Sequence, residues 1–126
     1  MAKGQLTQNK VHLKSQEYNT VKLLLEAGYD IELIPPSTIK GLRMPDIIMQ
    51  GIAWEMKAPE GVGKYTMKNA IQNASHQAQN IIIDLRRLPS REQSAINELV
   101  RYFNLSRRLK RMKIICNDDK ILDYTK

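Results

Sequence analysis

Cysteine is nearly absent. Cys116 is the single one among 126 residues, so no disulfide framework can form within one chain, and a reducing cytoplasm suits it. It falls at the end of a predicted strand, Lys113-Ile114-Ile115-Cys116, where it reads as a small core residue. Long apolar runs are lacking as well. Apolar residues make up 42% of the chain, yet no run approaches the ~18 residues of a membrane helix. No basic-then-apolar segment opens the sequence, so no signal peptide is read there. The Gly63-Lys64 pair lacks the rest of a phosphate-binding G-x-x-x-x-G-K-S/T loop: Ala58 stands where the first Gly belongs and Tyr65 follows the Lys, which excludes an ATPase of that kind. Acidic residues are the minority, 13 against 20 basic, for a net charge of +7. A basic surface of this kind favours polyanionic partners, nucleic acid first. The length allows one domain with one core.

What is present is a stretch that organises the rest: Met44-Pro45-Asp46-Ile47-Ile48-Met49-Gln50-Gly51-Ile52-Ala53-Trp54-Glu55-Met56-Lys57. Two apolar runs flank Gln50-Gly51, and Gly at the second turn position suits a two-residue hairpin loop. That loop sets the register, with Met49 opposite Ile52, Ile48 opposite Ala53, Ile47 opposite Trp54 and Asp46 opposite Glu55. Alternation then puts Asp46, Glu55 and Lys57 on one face. Like charges directly opposite are destabilising, so the patch costs stability unless a cation joins it. A divalent metal fits, because hard cations take oxygen ligands. The expectation is Mg²⁺ or Mn²⁺ held by Asp46, Glu55 and the Met56 carbonyl, with Lys57 orienting the nucleophile or neutralising developing charge. The alternative, a surface hairpin with an ordinary Glu–Lys pair, fits poorly with Ile47, Ile48, Ile52 and Trp54.

Around this hairpin the chain reads as follows. Residues 1–12 form a flexible polar arm. A helix runs from Leu13 to Ala27 and ends at Gly28. Val21, Leu24 and Leu25 follow Glu17 at helical steps, so Glu17 turns toward the apolar face. There a carboxylate needs a partner, or it serves the dipole of the first turn. Tyr29–Ile34 is the first strand. Arg43 follows in a loop near Asp46, and Lys64 and Lys68 lie in and after the Gly- and Pro-containing loop beyond Lys57; all three are expected to meet a nucleic-acid backbone. A helix over Met67–Asn80 carries an inward stripe of Met67, Ala70, Ile71, Ala74 and Ala78, with Gln77 placed to reach a phosphate or a water. Ile81–Leu85 is a buried strand, parallel to the second hairpin strand through a right-handed crossover. Ser90 with Gln93 reads as a capping box for a helix to about Leu109. Its last turns, with Arg107, Arg108, Lys110 and Arg111, make an electrostatic footprint for RNA or DNA. Met112–Cys116 and Ile121–Tyr124 close the chain as a hairpin.

Pro45-Asp46 followed by Glu55-Met56-Lys57 resembles the PD-(D/E)XK nuclease superfamily. The order helix with Glu17, strand, Pro-Asp strand, Glu-x-Lys strand, helix, strand covers residues 13–85. The local sequence there, Gly28-Tyr29-Asp30-Ile31 and Ile83-Asp84-Leu85 included, is similar to the C-terminal tRNA-nuclease toxin domains of bacterial contact-dependent growth-inhibition systems. The resemblance implies an α/β fold of three layers, a restriction-endonuclease-type core with a mixed central sheet and flanking helices, with residues 90–126 as an added basic helix and hairpin. It implies metal-dependent cleavage of tRNA in the cytoplasm, a catalytic set of Glu17, Asp46, Glu55, Lys57 and Gln77, and a neutralising, acidic immunity protein. Glu17 would hydrogen-bond a water of the metal or help hold a second ion. The chain opens on its own Met1, which fits a free-standing protein, an excised toxin domain or a mobile-element nuclease with delivery from outside as one route. Two other readings remain: a DNA endonuclease of the same superfamily, and a basic nucleic-acid-binding module that does not cut.

Overall fold

The strands lie across the sheet in the order in which they occur along the chain. A computed structural model describes residues 2–61, 63–88 and 90–126. In sequence, its elements are β1 (Leu6–Thr7), α1 (Ser15–Glu26), β2 (Ile31–Leu33), β3 (Ile47–Met49), β4 (Ile52–Lys57), α2 (Thr66–Ser75), β5 (Asn80–Asp84), α3 (Glu92–Leu105), β6 (Arg111–Ile115) and β7 (Ile121–Thr125). They make one seven-stranded mixed sheet. Strands β1 and β2, β4 and β5, and β5 and β6 pair in parallel; β2–β3, β3–β4 and β6–β7 are antiparallel.

Period-two alternation splits the sheet's apolar residues into two cores, one on each face. On one face α1 lays Val21, Leu23 and Leu24 over Ile31, Ile47, Trp54, Met56, Ile82 and Ile115. On the other, α2 contributes Met67, Ile71 and Ala74, and α3 contributes Ala95, Leu99 and Phe103, over Ile81, Ile83, Met112 and Ile114. The result is the expected three-layer α/β architecture. Trp54 is buried and its indole Nε1 donates to the Met49 carbonyl at 2.9 Å, so the hairpin is fixed to the core by a large side chain whose polar atom is satisfied.

The hairpin register is the one the sequence dictates: Ile47 opposite Trp54, Ile48 opposite Ala53 and Met49 opposite Ile52. Gln50 and Gly51 both have positive φ, 57° and 78°, the geometry of a tight turn whose twist matches its flanking strands. Helix α1 ends as predicted. Gly28 takes a φ of 98°, its N–H bonds the Leu25 carbonyl, and Tyr29 N–H bonds that of Leu24, a Schellman closure.

Several boundaries differ from expectation. The arm is not wholly free: Leu6–Thr7 adds a short parallel strand beside β2, and Gly4 N–H donates to the Leu25 carbonyl. The first long strand keeps only Ile31–Leu33. Helix α2 stops at Ser75 rather than Asn80, because Gln77 and Ala78 N–H both bond the Ala74 carbonyl and turn the chain down to β5. Asn80 is thus a buried strand residue, donating to the Ala53 carbonyl at 3.1 Å. Helix α3 starts after Arg91, whose φ is 63°, with no side-chain cap from Ser90. It ends at Leu105, not Leu109: Ser106 is extended and its Oγ accepts Arg108 and Leu109 N–H, turning Leu109 into the core. Arg107, Arg108 and Lys110 therefore lie in a loop and Arg111 opens β6, not in the last turns of a helix. Cys116 is buried just past the end of β6. Met1, and the Val62 and Pro89 of the two predicted loops, lie outside the described residues.

Candidate active site

The hairpin's antiparallel pairing continues one residue past β3, where Asp46 N–H donates to the Trp54 carbonyl at 3.0 Å. This puts Asp46 across from Glu55. Asp46 Oδ2 accepts the Met56 N–H at 2.8 Å, so the opposite strand's backbone fixes the carboxylate. Glu55 is 3% exposed. Its Oε2 lies 3.4 Å from Lys57 Nζ, while its Oε1 is buried with no hydrogen-bond partner. A buried, unsatisfied carboxylate oxygen is costly.

Electrostatics follow from that packing. Burial, then the neighbouring Asp46 charge and contact with its carboxyl, pushes Glu55 up to about 8. Burial likewise raises Asp46, with the Glu17 charge adding to the rise, against lowering by the Met56 N–H, by the Glu55 contact and by Lys57. Two carboxyls this close resist ionising together, and the Lys57 ammonium beside Glu55 offsets only part of that. Once both ionise, Glu55 Oε1 faces no donor.

Helix α1 brings Glu17 to the same place. The helix is tied to the sheet by Asp84, a buried residue at the end of β5. Thr20 Oγ1 donates to Asp84 Oδ2 at 2.7 Å, and Arg86 grips both Asp84 oxygens while donating to the Asn19 carbonyl. Glu17 sits both in the first turn and at a cleft. Its Oε1 accepts Lys14 N–H at 3.0 Å, satisfying the first turn, and it lines a cleft of about 370 Å³ with Asp46, Arg43 and Gln77. On the other side of Glu17, a cleft of about 180 Å³ is lined by Lys57, Met56, Lys14 and Arg87.

Of the predicted residues, the structure brings Glu17, Asp46, Glu55, Lys57, Arg43 and Gln77 around these two clefts. The Met56 side chain is in the core on the α1 face, and its N–H faces Asp46. Lys64 and Lys68 flank the exposed Tyr65 ring, at 5.5 and 5.7 Å from its centroid, outside the clefts. Arg107, Arg108, Lys110 and Arg111 line neither cleft. Arg111 pairs with Asn80 at the start of β5, whereas Lys57 pairs with Ile83, three residues further along. Sequence reading missed three cleft residues, His12, Lys14 and Arg87. Arg87 carried a usable signal, since it follows a buried parallel strand at its C-terminal end, where ligands gather in α/β sheets.

Among the described residues no three His, Cys, Asp or Glu side chains group as a metal site. The donors that are present fit a hard cation that keeps waters of its own: two carboxylates, one with an oxygen left without a donor.

A family model described as "Contact-dependent growth inhibition CdiA C-terminal domain" matches residues 43–121, which include the whole hairpin. A solved structure, the CdiA-CT/CdiI toxin and immunity complex from Burkholderia pseudomallei, superposes with a TM-score of 0.68 at 18% identity, covering 98% of this chain and 100% of that one. Among curated proteins none matches in sequence.

Proposed function

The chain belongs to the contact-dependent growth inhibition CdiA C-terminal domain family, and from there we propose that it is a metal-dependent nuclease toxin of the PD-(D/E)XK kind, cutting RNA, with tRNA as the leading substrate. The observation that carries this reading is the buried Glu55 beside Asp46 and Lys57, with one carboxylate oxygen lacking any donor. A structural hairpin has no use for such an arrangement; a cation site does.

Asp46 and Glu55 would hold Mg²⁺ or Mn²⁺, with the Met56 carbonyl as an added ligand. When bound, the ion polarises the scissile phosphate and makes water a better nucleophile at neutral pH. Lys57 offsets the negative charge that develops on the phosphate oxygens and keeps the nucleophile in line. Glu17 orients the attacking water from the first turn of α1. Gln77 and Arg43 line the same cleft as Glu17 and Asp46, within reach of the bound nucleotide. The Burkholderia pseudomallei toxin is in complex with an immunity protein; for this chain, with its net charge of +7, an acidic protein covering the clefts is the matching partner. Delivery is from outside, and the place of action is the cytoplasm of the target cell.

The test is incubation with total cellular RNA and with plasmid DNA in Mg²⁺, Mn²⁺ or EDTA, beside Asp46→Ala and Lys57→Ala. Discrete, metal-dependent shortening of tRNA that both variants lose is the expected result. Cleavage of DNA alone overturns the substrate and keeps the site. No cleavage by folded wild-type protein overturns the nuclease reading.

A further inference from the structure

The two clefts on either side of Glu17 differ in chemistry. The smaller one, beyond Lys57, is lined largely by polar groups and holds three cations, Lys14, Lys57 and Arg87, against one carboxylate, Glu17. The larger one, beside Asp46, has an apolar side with Leu13, Ile34, Leu42 and Met44, and polar groups from His12, Ser37, Arg43 and Gln77 besides the Glu17 and Asp46 carboxylates. Leu42 and Met44 are 50% and 39% exposed, so apolar surface faces solvent at this cleft. Both clefts border Glu17, so a strand crossing the catalytic residues passes from one into the other.

Resting on the nuclease reading above, we infer that the larger cleft receives a single unstacked base, that the smaller holds the phosphate next along the strand, and that the substrate class is an unpaired nucleotide rather than a duplex. A volume of about 370 Å³ is at the low end of small-ligand pockets, the size for one nucleoside and far short of a helix. The apolar side suits the face of a base. Gln77, with a donor and an acceptor, and Arg43, a donor, read its hydrogen-bonding edge. Specific RNA recognition works in this way on splayed loop and bulge nucleotides, whose bases are free to leave the stack. The cationic cleft supplies the complementary half, since a phosphate is the group on either side of any nucleoside. Cleavage next to a base held in this way follows from the position of Asp46, which lines the base cleft itself.

The deciding experiment measures binding and cutting separately. A single-stranded RNA carrying 2-aminopurine, and the same strand annealed to its complement, are titrated with wild type, Leu42→Trp, Gln77→Ala and Lys14→Gln in EDTA. Wild type is expected to raise 2-aminopurine fluorescence on the single strand and to bind the duplex at least tenfold more weakly. Leu42→Trp, on an exposed loop where the fold tolerates it, should fill the cleft, remove the fluorescence rise and weaken binding about tenfold. Gln77→Ala should weaken binding with little change in its salt dependence, while Lys14→Gln should lower the salt slope by about one. In Mg²⁺, a hairpin RNA should be cut in its loop and not in its stem. Equal binding of duplex and single strand, or a fluorescence rise untouched by Leu42→Trp, overturns the base pocket whether or not the protein cuts. Cutting of stem and loop alike also overturns it while leaving the nuclease reading intact. Cutting of neither, with the binding pattern as expected, overturns the nuclease reading and leaves the pocket standing.

Discussion

Replacing Glu55 by Gln should stabilise the metal-free domain while ending its activity. In the fold this carboxyl is pushed from an ordinary 4.5 up to about 8, first by burial and then by Asp46. The folded state therefore binds the proton more tightly than the unfolded chain does. No destabilisation arises below pH 4.5, where both states are protonated; it grows through the interval and levels off above pH 8. At 1.36 kcal/mol per decade, it amounts to about 1 kcal/mol at pH 5, about 3 at pH 7 and close to 5 above pH 9. The glutamine amide keeps a donor toward Asp46 and carries no charge, so the variant recovers most of this. Urea denaturation in EDTA, followed by circular dichroism, is the assay. With a slope of about 2 kcal/mol per molar urea, the midpoint at pH 7 should rise by about 1.5 M and by much less at pH 5. Excess Mg²⁺ should then raise the wild-type midpoint and leave that of the variant nearly unmoved, because a ligand that binds only the fold stabilises it. Equal midpoints for the two proteins at pH 5 and pH 8 in EDTA would refute the claim that Glu55 is a strained, buried carboxylate.

Asp46→Ala should lower cleavage by about 10²–10³ or more, the loss typical of removing one electrostatic contributor to a transition state, with the far-UV spectrum unchanged. Trp54→Ala should destabilise by roughly 3–5 kcal/mol through the cavity it leaves, read as a lower urea midpoint with the slope retained. At Asp84, burial raises the carboxyl, but the Arg86 and Thr20 hydrogen bonds outweigh it and hold the group below its ordinary 3.8. Its stabilisation is thus present above about pH 4 and lost as pH falls through the lower, folded value. Asp84→Asn should cost about 3 kcal/mol at pH 7, and the difference from wild type should shrink in acid titrations of stability.

The hairpin was legible because local chemistry decides it: a Gln50-Gly51 turn fixes the register, and the register fixes which side chains face Asp46. The parallel pairing with Ile81–Ile83 and the closing hairpin were legible from β-branched runs and acidic turn residues. The ends of α2 and α3 were not, because tertiary contacts set them. Leu109 is drawn into the core and ends α3 four residues early; buried Asn80 draws the chain out of α2. Lys113 is another such case. Its place in a predicted strand does not reveal that it is 5% exposed, lies over the Tyr29 and Trp54 rings at 5.0 and 5.5 Å, and pairs with Asp123. The cleft residues His12 and Lys14, just ahead of α1, and Arg87, after β5, come from two distant segments that the fold brings beside Asp46 and Lys57.

Because each strand neighbours the one before it in the chain, no strand waits for a distant segment to arrive before it can pair. The longest link between paired strands runs from Asp84 to Arg111, and α3 occupies much of it. Closure entropy rises only slowly with loop length, and folding rates fall with the sequence separation of contacting residues. The sheet can therefore grow outward from the β3–β4 hairpin in both directions, adding one neighbour at a time, with the Asp46 and Glu55 carboxylates placed by the first pairing to form. A chain built this way should regain its structure unaided after dilution from denaturant.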